Sequence, residues 1–402
     1  MNLASAQEWI TRRSRWLTVG LIAGVLVVLL AQTFRQAYRE DGYDLTSYLL
    51  SAKALWQGNN PYTIVTPYGY IYPLFLAFLL IPLALVPYWL ANLLWFGLSV
   101  SCLFAVCQML LKMAERDVNT TVDGRCVLSA AVVFAVLFSP IQNNLLNGQV
   151  NLIVLFCCTM FLRSHIQEKR VTSAAWLGAA IAIKLVPAIL VVFLLVRKQF
   201  RVLLWTALFA ALFCLLPAVV AGTNAFTFYQ HYWHSFFLPS LLGHAPKIPI
   251  FFGLHRTLEY LLPAAGTTVW LRAIAQSVSL LAILAVDLAG RKSPPAHRDV
   301  WAFSAYLLGC LLLSPVSEIH HLVFAVPAVC LVGAKTFFDR RWTTKTVLVF
   351  VGCFVLCFDV AAGMYDRMPF FFVSLVILLF LVFLANRDSG RDSCGQSELA
   401  HY

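Results

Sequence analysis

Four stretches of this chain, Trp16–Phe34, Leu203–Ala221, Val300–Ser314 and Phe370–Ala385, carry no charged side chain. Each approaches the length a helix needs to cross the roughly 30 Å of hydrocarbon in a bilayer. Composition points the same way. The chain has 402 residues, of which 61% are hydrophobic and 12% charged, against about 25% charged in a soluble globular protein. Mean hydropathy is +0.80, so polar side chains are too few to cover a water-facing exterior. Lipid is the main solvent. A disordered chain, a fibre and a nucleic-acid binder are excluded. The net charge of +11 is then best spent on cytoplasmic loops rather than on an anionic macromolecular partner.

The 11 cysteines lie mostly inside apolar runs and form no CxxC pair. They read as small buried hydrophobes, with no disulfide framework. Arg12, Arg13 and Arg15 precede the first apolar run, and no small-residue cleavage site follows it. An uncleaved first span is expected.

Basic residues set the topology. The breaks at 112–125, 163–170, 197–201, 291–298 and 335–345 hold three or four Lys/Arg each. With the N-terminal arginines, Arg387 and Arg391, they take 21 of the 29 basic residues. By the positive-inside rule these segments are cytoplasmic. Segments 35–70, 141–150, 222–268, 315–320 and 361–368 then face outward. Residues 71–111 cross an odd number of times; one span over 87–111 suffices, with Pro73, Pro82 and Pro87 leaving Tyr72–Val86 as a short, partly embedded outer segment. Residues 171–196 cross an even number of times, and Lys184 and Pro187 divide them into two short halves that meet near the outer face. The expectation is an all-α, polytopic membrane helix bundle of about twelve transmembrane helices with a long first outer loop and both termini cytoplasmic. Residues 1–385 form one membrane domain, and 386–402 a polar, disordered cytoplasmic tail. No internal repeat is visible, which weighs against an inverted-repeat transporter.

Polar groups at membrane depth are costly and point to function by default. In the first outer loop Asp44 opens an amphipathic stretch with Leu45, Tyr48, Leu49, Ala52, Leu55 and Trp56 at helical spacing. Gly58-Asn59-Asn60-Pro61 ends it. A short helix lying flat on the membrane is expected. Asp44 is either its N-cap, bonding free backbone N–H groups, or a reactive carboxylate. After Pro140 come Gln142, Asn143, Asn144, Asn147, Gln149 and Asn151, with Gly148 among them. They form either a solvated turn or a set of neutral donors and acceptors for sugar hydroxyls. Lys184, in an apolar stretch, either snorkels or meets an anion such as a lipid phosphate. His320 and His321 follow Ser314-Pro315-Val316-Ser317-Glu318. Adjacent helical residues diverge by about 100°, which suits one histidine donating to a phosphate oxygen better than both gripping one metal. The long loop 222–268 adds His231, Tyr232, Trp233, His234, His244, His255 and Arg256, as an interfacial belt or a sugar-stacking face.

The order Asp44-Leu-Thr-Ser-Tyr48, Gly58-Asn-Asn-Pro61-Tyr62, Tyr72-Pro73, Asn147-Gly148-Gln149-Val-Asn151, Lys184-Leu-Val-Pro187 and Ser314-Pro315-Val-Ser317…His320-His321 resembles glycosyltransferase family 87. The resemblance runs over roughly residues 35–330. It implies a GT-C fold and a polyprenyl-phosphate-mannose-dependent mannosyltransferase of the plasma membrane with its site on the outer side. A polyprenyl-phosphate sugar donor would enter from the membrane lipid, and a lipid or glycan acceptor from the aqueous side. Asp44 would be the general base, and an ionised carboxylate of near-normal pKa would suffice. Lys184, His320, His321 and Arg256 would stabilise the leaving phosphate. Asn147, Gln149, Asn151 and Tyr62 would bind substrate. No metal or cofactor is expected. Two departures bear on acceptor identity: Glu318 stands where the family commonly has Trp, and no Asn/Gln-Ser pair precedes Arg256. A lipid-linked sugar polymerase or ligase is the main rival reading, and a transporter a weaker one.

Overall fold

The structure is a computed structural model, described here over residues 20, 23–39, 42–118, 138–239, 253–261, 269–314, 317–338 and 374–387. The N-terminal arginines, Arg125, Arg340, Arg341 and Lys345, outer segment 361–368 and the tail beyond 387 lie outside the described residues.

The described residues are helical, with no strand among them. In chain order the helices are α1 (Ala23–Ala37), α2 (Asp44–Trp56), α3 (Leu74–Leu79), α4 (Ile81–Ala84), α5 (Tyr88–Val118), α6 (Ser139–Leu146), α7 (Asn151–Ile166), α8 (Arg170–Ile183) and α9 (Leu190–Val196). They continue with α10 (Phe200–Leu215), α11 (Ala218–Ala221), α12 (Asn224–Tyr232), α13 (Leu254–Leu261), α14 (Val269–Ala289), α15 (Pro295–Leu313), α16 (Val326–Phe338) and α17 (Ser374–Arg387). Short 3₁₀ turns fill Val186–Ile189 and Ile319–Ala325.

Among the described residues, three segments, Tyr88–Glu115, Phe200–Ala221 and Trp270–Lys292, are long and apolar enough to cross a membrane. The bent pair α6 and α7, turned by 118° at its break, would make a fourth. Five further apolar helices have only 10–17 residues. Among the described residues, the helices long enough to span therefore fall well short of the twelve expected. Part of the expected count falls on 119–137 and 339–373, outside the described residues, and proline and polar punctuation divides two of the described stretches. Lys184 takes an extended conformation (φ −152°, ψ 132°) and Pro187 opens a 3₁₀ turn, so α8 and α9 are two short halves as expected. Residues 72–86 likewise yield only the short α3 and α4 before α5 runs unbroken for 31 residues.

Helix α2 starts at Asp44 and closes beyond Trp56, where Gly58 N–H reaches Leu55 O at 3.0 Å and Asn59 N–H reaches Ala54 O at 2.9 Å. This pair of bonds satisfies the last carbonyls of the helix. Its apolar stripe, Leu45, Tyr48, Ala52 and Leu55, is buried, and the helix packs on α3 and α4. The helix is thus docked on protein rather than only laid on lipid.

Helix α8 packs between α7 and α10, with α5 against α7, α16 against α5 and α14 along α15. A Cβ at Gly178 of α8 would sit 2.8 Å from Phe209 Cβ and 3.0 Å from the Ala210 backbone nitrogen of α10. A glycine there lets the two helices approach closely, as small residues do in membrane bundles.

The centre has two chemically distinct ends. Helix α7 runs 16 residues from Asn151 to Ile166, a rise of about 24 Å; α8 returns from Arg170 to Ile183, and α9 leads out again to Arg197. At the Arg197 end sits a buried ion cluster. Arg197 bonds Asp287 and Asp299 at 2.6 Å each, Arg298 reaches Asp287 at 3.0 Å, and Tyr306 donates to Asp287 at 3.2 Å. His165 lies 3.5 Å from Asp299. The basic segments 163–170, 197–201 and 291–298 converge here. The other end holds Asn151, Lys184 and the histidine turn.

Candidate active site

Asp44 occupies the first position of α2 and keeps a partly exposed edge. The capping reading fails: Tyr43 is the N-cap residue, and no side-chain cap bond is made at this end. Tyr48 lies one turn further along, so Asp44 and Tyr48 share a face. That face meets the α6–α7 break. Gly148 sits there with φ +63°, and a Cβ on it would lie 2.7 Å from Leu45 Cβ and 2.8 Å from Tyr43 Cε2. Only glycine tolerates both the left-handed backbone and the crowding. Trp95 Nε1 donates to Gly148 O at 2.8 Å and pins the turn.

The next residue, Gln149, is buried and is a hydrogen-bond partner of Asp44. Its Oε1 accepts from Tyr48 at 3.0 Å and from Tyr72 at 3.2 Å. Burial pushes the Asp44 carboxyl up to about 7; the bond from Gln149 and the charge of Lys184 pull it down, while Glu318 pushes it up. The near-normal carboxylate expected from the sequence is thus corrected. A base whose pKa is close to neutral is well matched to taking a proton from a hydroxyl group at physiological pH.

A cationic centre adjoins it. Lys184 Nζ donates to Asn151 Oδ1 at 2.7 Å and lies 2.8 Å from His321 Nε2. Asn151 Nδ2 donates to His320 O at 3.2 Å, which ties α7 to the histidine turn. Glu318 caps that turn: its side chain accepts the His321 backbone N–H, and its own N–H donates to His321 Nδ1 at 2.9 Å. With Nδ1 accepting, the proton of a neutral His321 ring is on Nε2, facing the lysine. His320 Nδ1 lies 3.5 Å from Glu318 Oε2, and the two histidine rings are 4.3 Å apart. Tyr72 joins the two halves of the site, with its hydroxyl on Gln149 and its ring 5.2 Å below Lys184 Nζ.

Asp44, Gln149, Asn151, Lys184, His320 and His321 are therefore brought together. Asn147 is not: it pairs with Asn143 at 3.0 Å and with Gln36 at 3.5 Å. Tyr62 stands one step away. Its hydroxyl donates to Tyr72 O at 2.8 Å, and its ring stacks on His231 at 6.1 Å beside Tyr232 and Phe236. The Arg256 side chain lies outside the described residues. The solvated-turn reading of the amide cluster does not hold for Asn144, Gln149 and Asn151, which are buried. Among the described residues, the Asn144 amide and the Tyr43 hydroxyl have no hydrogen-bond partner. Sequence reasoning missed Tyr48, Tyr72 and the capping role of Glu318. The available signals were the four-residue step from Asp44 to Tyr48 and the place of both tyrosines in the motifs that carry the family resemblance.

Fold and site together define a membrane protein, helical over its described residues, with a carboxylate and a lysine–histidine pair set side by side at one end of its helices. The family model for glycosyltransferase family 87 matches residues 70–315, and the chain belongs to that family. The matched residues include Gln149, Asn151 and Lys184 but begin after Asp44. Two curated relatives come from Mycobacterium tuberculosis. A polyprenol-phosphate-mannose-dependent alpha-(1-2)-phosphatidylinositol pentamannoside mannosyltransferase of strain CDC 1551 is 25% identical, over 65% of this chain and 57% of that protein. A polyprenol-phosphate-mannose-dependent alpha-(1-2)-phosphatidylinositol mannoside mannosyltransferase of strain H37Rv is 25% identical, over 80% of this chain and 77% of that protein. The alignment thus spans little more than half of the first relative.

Proposed function

We propose that this chain is a membrane glycosyltransferase that moves a hexose, read as mannose, from a polyprenyl-phosphate donor to a lipid or glycan acceptor with inversion. The observation that carries the reading is the adjacency of Asp44 to the Lys184–His321 pair through Gln149 and Tyr72. One reaction needs both. Asp44 removes the acceptor proton as the hydroxyl oxygen attacks the anomeric carbon. The bond from that carbon to the phosphate oxygen breaks, and its electron pair leaves with the lipid phosphate. Lys184 and His321 meet the charge that develops there. Attack opposite the leaving group inverts the centre, so a β-linked donor yields an α-linked product. The free valences of Tyr43 and Asn144 suit sugar hydroxyls. The printed names of the two relatives, both polyprenol-phosphate-mannose-dependent, support the donor.

On the charge pattern we keep about twelve spans and both termini in the cytoplasm. The Arg197 end is then cytoplasmic and the site end faces outward across the plasma membrane. Purified protein with labelled polyprenyl-phosphate mannose and a lipid-acceptor extract tests the activity. Transfer of the label to an acceptor in α linkage is expected. No transfer from this donor, with transfer from a lipid-linked oligosaccharide instead, would favour the polymerase or ligase.

A further inference from the structure

We propose that Tyr48 and Tyr72 are positioning residues that lock the side-chain amide of Gln149 in one of its two orientations, so that its N–H is delivered to Asp44. The proposal rests on the reading of Asp44 as the general base.

A phenol has one O–H to donate. Tyr48 has two acceptors in reach, Tyr72 Oη at 2.9 Å and Gln149 Oε1 at 3.0 Å, while Tyr72 donates to Gln149 Oε1 at 3.2 Å. Wherever the Tyr48 proton goes, Gln149 Oε1 receives at least one hydrogen. The amide oxygen is thereby fixed on the tyrosine side, and the NH₂ end is left for the carboxylate. Rotating the amide by half a turn would set its oxygen against the Asp44 carboxylate and leave a phenolic O–H without its acceptor. Tyr48 and Tyr72 are buried, so water cannot cheaply replace that acceptor.

The surrounding structure holds the geometry. Tyr48 is on the same face of α2 as Asp44. Its ring packs edge-on to Tyr72 at 5.1 Å and to Trp95 at 6.5 Å. Trp95 in turn holds the Gly148 carbonyl next to Gln149. The charged and titratable groups facing Asp44 are Lys184, Glu318 and the phenols of Tyr43, Tyr48 and Tyr72. Lys184 favours the ionised carboxylate; burial and Glu318 oppose it. The Gln149 N–H adds to the lysine's side of this balance, and it also orients the carboxylate by engaging it from the protein side.

The test is the pH profile of kcat/KM for the full-length purified protein with polyprenyl-phosphate mannose. Wild type, Tyr48→Phe, Tyr72→Phe, Gln149→Met and the double variant Tyr48→Phe/Gln149→Met are compared. Each single variant should move the acid limb upward, Gln149→Met by about one pH unit, a figure set by the usual strength of a hydrogen bond to a charged group. At a pH below the limb that is about a tenfold loss, with the loss recovered at alkaline pH. The double variant should show no shift beyond that of Gln149→Met, because Tyr48 acts through the amide. Losses that are uniform in pH, or shifts that add in the double variant, would overturn the proposal. Tyr→Phe keeps the ring under Lys184 and in the aromatic stack; if one variant fails to fold, the other carries the same comparison. An active Asp44→Asn protein would sink the base reading and this proposal together. An inactive Asp44→Asn protein with unshifted limbs would sink this proposal alone.

Discussion

Lys184 Nζ lies 2.8 Å from His321 Nε2, and the nitrogen on the far side of that imidazole is held by the backbone N–H of Glu318. The two residues are 137 positions apart in the chain. The ring therefore turns its N–H toward the lysine, and the 2.8 Å contact is a hydrogen bond when an unprotonated Nζ accepts it; with the lysine protonated, both nitrogens are donors. A phosphate oxygen entering there would accept from both.

This asymmetry separates the histidines. His321 reaches the lysine with its ring, whereas His320 supplies a backbone carbonyl to Asn151 and a ring contact to Glu318. Lys184→Ala and His321→Ala should each lower kcat/KM for the donor by about 10–100-fold, the worth of a charge-assisted hydrogen bond. His320→Ala should cost much less. Steady-state kinetics with varied donor concentration measure this, and equal losses at His320 and His321 would contradict the assignment.

Gly148→Ala should be disruptive out of proportion to its size. The new Cβ collides with Leu45 and Tyr43, on a backbone with φ +63°. Overpacking of this kind costs about 1–3 kcal/mol. It also pushes α2 away from Gln149, so activity should fall further than stability does. Gly58→Ala is the control, with a comparable positive φ of +77° but nothing within 4 Å of its Cβ. Thermal unfolding in detergent and specific activity, measured on both variants, should show the larger loss at Gly148.

Orientation is checked by thiol labelling in a background without reactive native cysteines. Gln167 is exposed beside the Arg197 end, whereas its neighbour Ser164 is buried. Asn59 is exposed just past α2. Gln167→Cys should resist an impermeant reagent in intact cells and Asn59→Cys should react. The reverse pattern would invert the topology.

Local features of this fold were legible in the sequence because their causes are local. The apolar spacing after Asp44 and the Gly58-Asn59 stop define α2 within one residue of its ends. Lys184 and Pro187 interrupt a hydrophobic stretch, and the chain breaks there. Asn151, Lys184, His320 and His321 stood out as candidates by a local rule, the cost of polar groups in an apolar setting. What joins them is not local. Tyr48 meets Gln149 across 101 positions, and Asn151 meets His320 across 169. No periodicity reports such contacts. Glu318 illustrates the limit: in sequence it is a departure from a family pattern, and in the fold it is the cap that orients His321.

The central claim is that Asp44 is the general base, and Asp44→Asn tests it most directly. The side chain makes no cap bond in α2, and Asn is accommodated at helix starts about as well as Asp, so folding should be retained. With burial holding the carboxyl at about 7, wild-type kcat/KM should rise with pH through that value, because only the ionised form accepts a proton. In Asp44→Asn, turnover should fall by about 10²–10⁴ and that pH dependence should vanish, with donor binding unchanged. Asp41→Asn, the same charge change three residues earlier, should stay active. Full turnover in Asp44→Asn, or equal losses in both variants, would contradict the account.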